Sequence, residues 1–547
     1  MKKFLAILTM VFLCIVCVVG LTACNDGGAT STATEDSYFT FTLLSDDTYE
    51  IKAKDKSDMP ENVVLPSAHD GKSVTSVGEG AFANCSSLTS VAIPASVTNI
   101  GNGAFYCCRA LTSVTIPASV TNIGKHAFYY CVGLTNMTIP AGVTDIGEYA
   151  FYNCIGLTNI TIPDSLTTIE DWALSYCSGL TSITIPNSVT SIKNYAFRGC
   201  SGLTSIEIPD SVTSMAEGVF VDCYNLVSIK MPANVTGIGK WGFWRCSKLE
   251  SLTIPANVTS IGNSAFGGCS ALTSIIIPDK VTVIGSWAFS DCSALTSINI
   301  PASVESVGEW AFSGCDSLTS ITVDESNADF KGIDGNLYSK DGTTLIQYAI
   351  GKTETTFVIP ASVTCIGEGA FYNCSSLTSM NIPANVASIE DWAFEDCIGL
   401  TGITVDEDNA NYKAIDGDLY SKDGKTLIQY AVGKTATEFT IPEGVTSIGV
   451  GAFESCSALT NIIIPTSVTK IEEYAFNYCE GLTDITIPAN VTSVGESAFE
   501  DCTALTSISF NGTMAQWIAI EKGEDWCIRV PATVVQCIDG DADIPEM

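Results

Sequence analysis

The stretch from Leu111 to Cys131, LTSVTIPASVTNIGKHAFYYC, returns 23 residues later as LTNMTIPAGVTDIGEYAFYNC, and the same phrase recurs along most of the chain. A fixed period of this length constrains the fold more than any other feature. One such unit cannot bury its apolar residues alone, so neighbouring units must stack into a solenoid with a continuous core. Cysteines keep the register. Cys85, Cys108, Cys131, Cys154, Cys177, Cys200, Cys223, Cys246, Cys269, Cys292 and Cys315 follow one another at intervals of 23. After a break come Cys374 and Cys397, and after a second break Cys456, Cys479 and Cys502, sixteen units in all. Each break spans 59 residues, one unit plus an insert of 36.

Within a unit the recurring apolar positions are those of Leu111, Val114, Ile116, Val120, Ile123, Ala127, Phe128 and Cys131. LTSVTIP is β-branched and ends on Pro117, which predicts a short strand. Identical strands in successive coils pair parallel and in register about 4.8 Å apart, so the sixteen coils span about 75–80 Å. SVTNIG predicts a second short extended segment, and HAFYYC a tight, helix-like turn that drives Phe128 inward. The cysteines then point into one seam with parallel side chains. Bridging neighbours would require their Cβ vectors to turn toward each other, which an in-register stack resists. They are read as a ladder of free, buried thiols. Cys107, Cys365, Cys527 and Cys537 lie off the ladder, and of these only Cys527 with Cys537 is a candidate disulfide.

The N-terminus reads as an export signal: Lys2 and Lys3, an apolar run from Phe4 to Gly20, then LTAC ending at Cys24. LTAC resembles the lipobox of bacterial lipoproteins, which implies cleavage before Cys24 and lipidation of its sulfur. The expected organisation is a signal peptide over 1–23 and the lipidated cysteine with a flexible tether over 24–37. A β-rich cap follows over 38–73, then repeats over 74–323, an insert over 324–356, repeats over 357–405, a second insert over 406–438, repeats over 439–510, and a closing cap and tail over 511–547. The inserts are near-copies of each other. In the first, LYSKDGTTLIQY carries strand residues on both sides of Lys340, Asp341 and Gly342, a hairpin signal.

The motif AFxxCxxLTSITIPxSVTSIG resembles the BspA-type leucine-rich repeat, the class that includes treponemal leucine-rich proteins, from about Val74 to Phe510. The resemblance implies a mostly β, single elongated leucine-rich-repeat solenoid on a lipid anchor. It also implies a non-enzymatic surface protein that adheres to host extracellular matrix, mucosal or microbial surfaces. Two alternatives remain: an envelope lipoprotein that captures glycans or peptides, and a passive spacer.

The chemistry of the chain points the same way. A net charge of −35 opposes nucleic-acid binding and an electrostatic grip on anionic lipid, so membrane contact is expected only through the anchor. Beyond the leader only His69 and His126 are histidines, in unrelated units, which leaves no triad to assemble. No phosphate loop or Cys/His metal signature appears, and Asp406, Asp408 and Asn409 do not fit a calcium loop. No cofactor or metal is expected. Nor is a catalytic residue, and a monomer is anticipated.

Two surfaces remain as binding candidates. Ser113 and Thr115 and their equivalents predict an uncharged, hydroxyl-rich strand face. The position before each Ala-Phe pair varies between small residues and large aromatics, with His126, Tyr149, Trp172, Tyr195, Trp241, Trp287, Trp310, Trp392 and Tyr474 among them. Tyr149, Trp172, Tyr195, Trp241, Trp287 and Trp310 are the candidate ligand-binding residues, for an extracellular protein or a glycan, since aromatics in a row dominate recognition surfaces. The competing reading is that they pack on one another along the outer edge.

Overall fold

A computed structural model describes residues 33–544; the signal peptide, Cys24 and most of the tether lie outside the described residues. Most 23-residue coils contribute two short strands. The first ladder pairs Ser90–Ala92 with Ser113–Thr115, and Asn136–Thr138 with Asn159–Thr161, every residue opposite its counterpart 23 positions away. The second pairs Asn99–Ile100, Asn122–Ile123 and Asp145–Ile146, also parallel and in register. The strands are short because tight turns follow each of them. The Val120 N–H bonds the Pro117 carbonyl at 3.1 Å, and the Ala127 N–H bonds that of Gly124 at 3.2 Å.

The AFxxC segment is a run of turns rather than a helix. Its N–H groups alternate between the carbonyl three residues back and the next coil. Phe105 donates to Ala127 of the following coil at 2.8 Å, and Cys108 donates back to Phe105 at 3.1 Å. A third intercoil ladder therefore runs along the turns. It holds the phenylalanines face to face, as Phe105 and Phe128 show with 5.3 Å between ring centroids and planes 8° apart. Leu174 interrupts this stack, and Phe197 restarts it.

The cysteine ladder is buried and unbridged, as the repeat requires. With three exceptions, each thiol lies against the carbonyl of the phenylalanine one coil back, or of Leu174 in the case of Cys200, as Cys131 does with Phe105 at 3.1 Å and Cys246 with Phe220 at 3.1 Å. A buried carbonyl that would otherwise lack a second partner thus receives a weak S–H bond. The bond is missing at Cys85, Cys374 and Cys456, the first rung of each uninterrupted run. Cys85 has no complete coil before it. Cys374 and Cys456 follow inserts whose Tyr348 and Tyr430 carbonyls are taken by the Gln347 and Gln429 side-chain amides, each at 3.0 Å. Burial raises the Cys85 thiol near the end to about 11 and that of Cys108 to about 12, and lifts Cys131 and Cys246 well above the usual range. Cys527 packs in the core of the closing cap and Cys537 is half-exposed. Both are free, so the candidate bridge between them does not form.

Each insert is a three-stranded meander, one strand more than the hairpin read from sequence. Phe330–Ile333, Asn336–Ser339 and Thr344–Gln347 pair antiparallel in turn, and the last strand pairs parallel with Cys365–Ile366 to resume the second ladder. Asn327, almost fully buried, fixes the entry. Its amide donates to the carbonyls of Pro301 and Val304 at 2.9 Å each, and its oxygen accepts from the N–H groups of Asp329 and Phe330. Asn409 repeats these bonds in the second insert, so its role is structural.

The ends are closed as a solenoid demands. At the N-terminal end Phe39–Leu43 pairs antiparallel with Tyr49–Ala53, which joins the second ladder through Lys72–Val77. At the other end a short helix, Met514–Ala519, capped by Thr513 and Gln516, lays Trp517 against Trp526 and Phe510. A terminal hairpin of Val534–Cys537 and Gly540–Asp543 finishes the first ladder.

Alkylation of the native protein at pH 8 is expected to label only Cys107, Cys365 and Cys537 among residues 33–544, with the ladder thiols modified after denaturation. Peptide mass spectrometry before and after guanidinium treatment reads the difference, and native labelling of Cys131 or Cys246 would contradict the packing.

Candidate functional site

The residue before each Ala-Phe pair sits at a corner whose backbone is left-handed. His126, Tyr149, Trp172, Tyr195, Trp241, Trp287, Trp310, Trp392 and Tyr474 all have φ between 54° and 59°, and Gly80, Gly103, Gly218, Gly369 and Gly451 occupy the same corner in other coils. A bulky side chain there costs about 1–2 kcal/mol relative to glycine. The same strain recurs before each cysteine, but that column is dominated by Asn, Asp and Gly, the residues that tolerate it.

Stacking explains how large aromatics are kept at the first corner. His126 stacks on Tyr149 (4.9 Å, 3°), Tyr149 on Trp172 (5.7 Å, 6°) and Trp172 on Tyr195 (4.3 Å, 24°). Farther along, Trp287 stacks on Trp310 at 5.2 Å and 6°. Each such pair adds about 0.5–1.5 kcal/mol beyond its buried area, enough to offset much of the strain. At two of the glycine corners the preceding ring lies across the site. A Cβ on Gly218 would fall 2.2 Å from the Tyr195 ring, and one on Gly369 2.7 Å from that of Trp310.

Of the six candidate residues, Tyr149, Trp172, Tyr195, Trp241 and Trp310 are half-buried in this column, and Trp287 is exposed at 42%. The structure gathers them along one edge in stacked groups, with Tyr195 and Trp241 in tilted contact at 6.4 Å between the first group and the next. Tyr149, Trp172 and Tyr195 form one, with the Arg198 guanidinium 5.6 Å from Trp172 and 5.7 Å from Tyr195. Trp241 stands next along the column with the Lys240 ammonium 3.8 Å from its ring, and Trp287 with Trp310 forms the last group. Edge packing therefore accounts for most of the column, and Trp287 is its open member.

The strand face carries the expected exposed Ser113 and Thr115, although Val114 between them is only half-buried. Ile276 and Val358 stand on the same face at 83% and 85% exposure. The first ladder is open between Asn159–Thr161 and Ser205–Glu207, where residues 181–185 form no strand. Grooves of about 430 and 420 Å³ flank this segment, lined by Asn159, Thr161, Thr184, Asn187 and Glu207 among others. Nothing in the repeated LTSITIP marks this opening in advance. His69 belongs to the N-terminal cap, stacked on Phe41 and bonded to Asp36 at 2.7 Å, far in sequence and setting from His126. Among the described residues no group of His, Cys, Asp and Glu is arranged to hold a metal.

The BspA-type leucine-rich repeat family matches the chain over residues 61–180, 121–250, 238–351, 347–423 and 430–519. A leucine-rich cell surface protein from Faecalibacterium prausnitzii is similar at 28% identity over 91% of this chain and 99% of its own, with a TM-score of 0.33. A leucine-rich repeat protein from Bacteroides ovatus is 23% identical over 84% and 95%, with a TM-score of 0.38. The leucine-rich repeat protein of Treponema pallidum is 29% identical over 44% and 91%, with a TM-score of 0.31. No curated protein sequence matches.

The left-handed corner makes a stability prediction of opposite sign at two sites. Ser264→Gly should stabilise by about 1 kcal/mol by relieving φ of 52°, and Gly218→Ala should destabilise by at least as much. Urea unfolding midpoints check both. From the register of its coils, the seam of cysteines and the extent of the match, the chain belongs to the BspA-type leucine-rich repeat family.

Proposed function

We propose that this protein is a surface-exposed, lipid-anchored interaction protein that adheres to extracellular protein or glycan through the outer edge of its solenoid. The observation that carries this reading is the Trp287–Trp310 stack, held on strained corners with Trp287 open to solvent. Strain of this kind concentrates at functional sites, and a flat indole surface binds either an apolar protein patch or a sugar ring. Export and lipidation at Cys24 would place the edge outside the cell. The F. prausnitzii relative, described as a cell surface protein, supports that placement. Many weak contacts along a rigid repeat would sum to useful avidity. The family's repeat architecture is a scaffold for recognition, and the two histidines lie in unrelated settings, which supports a non-enzymatic role.

Residues 25–547 presented to an array of matrix proteins and mucin glycans at two salt concentrations test the proposal. The expected result is a hit that persists at high salt and weakens at least tenfold in the W287S variant, which removes the exposed indole and leaves Trp310 and its bond to Glu368 in place. A hit that fades with salt would reflect the chain's net charge instead. Silence from a folded protein would move the reading to an envelope partner or a spacer.

A further inference from the structure

Each insert leaves a notch in the turn ladder. Leu345 is the strand partner of Ile366, yet Tyr348, which stands in the place of Phe371, follows after only Ile346 and Gln347. The standard corner of Gly367 to Ala370 has no counterpart, and the next residue is the small Ala349. The flanking coils therefore meet across the insert. At the first notch Trp310 reaches over to Gly369, donates from Nε1 to Glu368 Oε1 at 3.0 Å and packs edge-on against Tyr372 at 5.0 Å. Asn373 bonds Asp316 across the same gap at 3.0 Å. The remaining cavity is about 120 Å³.

The second notch has the same backbone plan and different side chains. Trp392 takes the place of Trp310, but Val450 stands where Glu368 would be, and among the described residues no hydrogen bond latches the indole. The cavity is about 360 Å³. Ile389, Phe394 and Ile428 supply apolar walls, Trp392 an aromatic one, and Glu390, Asp391 and Glu472 carboxylates, and no lysine or arginine lines it. The backbone N–H groups of Trp392, Phe394 and Asp396 have no backbone acceptor among the described residues, as Trp310, Phe312 and Gly314 have none at the first notch, whereas Gly369, Phe371 and Asn373 in the coil between the inserts each bond the next coil. Behind the indole, Glu395 and Glu454 meet where the first notch has Ser313 and Tyr372. Glu454 is 6% exposed and its Oε2 has no hydrogen-bond partner. That oxygen lies 3.0 Å from where a Cβ on Gly451 would point, with Trp392 Nε1 3.8 Å from the same place, so the carboxyl pair flanks the indole behind the cleft wall.

We propose that the cleft at the second insert binds the cationic side chain, lysine or arginine, of a partner polypeptide. The aliphatic stem would lie on Ile389 and Ile428, and the charged end beside Trp392 among the carboxylates. This deepens the interaction reading above and rests on it. Charge decides the occupant, because the lining is acidic and unneutralised on a chain of net charge −35, and an aromatic wall adds a cation–π contribution. The open N–H groups suit the carbonyls of a bound backbone. The first notch, latched by Glu368, is the built-in comparison.

Burial and the Asp396 charge raise the Glu395 carboxyl, and burial with the charges of Glu395 and Asp396 raises that of Glu454; the two share a hydrogen bond, so near neutrality the pair retains a proton that an arriving cation would release to solvent. The other ionisable groups facing the pair are Asp396 beside Glu395, Tyr372 on the coil before, Tyr474 on the coil after and the buried Cys456 and Cys479 thiols. None is a base that could neutralise the carboxylates, so cation binding should strengthen as pH rises through neutrality.

The test uses the full exported chain labelled with 5-fluorotryptophan, with the Trp392 resonance assigned from W392F. Acetyl-lysine amide and acetyl-arginine amide should shift that resonance saturably, and acetyl-glutamine amide should not. V450E, which copies the residue of the first notch and so should fold, is expected to weaken the response at least tenfold, as is E390Q/D391N/E472Q. No shift with either cation, or an equal shift with the glutamine derivative, overturns the proposal. A macromolecular partner found on the array whose binding V450E leaves undiminished also overturns it, while leaving the broader interaction reading intact.

Discussion

Everything in this chain depends on one constraint: each coil must present its backbone groups to the next at a fixed register of 23 residues. Two strand ladders and the alternating N–H bonds of the turn segment meet that constraint on three sides of the coil. The thiol-to-carbonyl contact from Cys131 to Phe105, and its repeats, serves the seam that no strand can reach. The cysteine is small enough for close coil packing and still offers a donor. Neither alanine nor leucine meets both demands, and serine would bring a more strongly hydrated hydroxyl into the seam. Where the ladder restarts after an insert, glutamine takes over the same carbonyl, which identifies satisfaction of that oxygen as the requirement.

The left-handed corner shows how a monotonous framework acquires an individual surface. Its backbone favours glycine, and some coils use glycine. In others an aromatic residue occupies the corner because its ring gains a neighbour to stack upon, and Gly218 and Gly369 lie beneath rings that reach across from the coil before. Strain and stacking are thus coupled along the column. A change at one corner is felt at the next, and the aromatics fall into groups rather than an uninterrupted stripe.

Much of this was legible in the sequence, and the rest failed for identifiable reasons. The period, the paired parallel strands, the buried thiols and the caps follow from repetition itself, since identical units can only pair in register. The variable column before Ala-Phe was visible as an anomaly in composition. Its left-handed backbone was not, because aromatics are the wrong residues from which to infer positive φ. The helix-like reading of HAFYYC failed for the same reason, as two left-handed residues in five preclude a helical turn. The opening of the strand face near residues 181–185 has no signature in LTSITIP. The candidate bridge from Cys527 to Cys537 rested on proximity in sequence. It does not form, because Cys527 packs inward in the closing cap while Cys537 lies half-exposed on the terminal strand.

The inserts carry the argument furthest, because they are a controlled comparison within one molecule. Their backbones repeat the same meander, the same anchoring asparagine and the same glutamine over the tyrosine carbonyl. What differs lies in the flanking coils: Glu368 against Val450, Ser313 against Glu395, and Tyr372 against Glu454. One notch is filled and latched, while the other is enlarged and lined by the carboxylates of Glu390, Asp391 and Glu472, with the buried Glu395 and Glu454 pair behind its indole. Filling a notch satisfies the packing of the solenoid, as the first insert demonstrates. Leaving an equivalent notch open and charged serves no need of the fold, since a buried carboxyl pair costs stability that Ser313 and Tyr372 avoid. That cost is intelligible when the second notch is kept for a group from outside the chain.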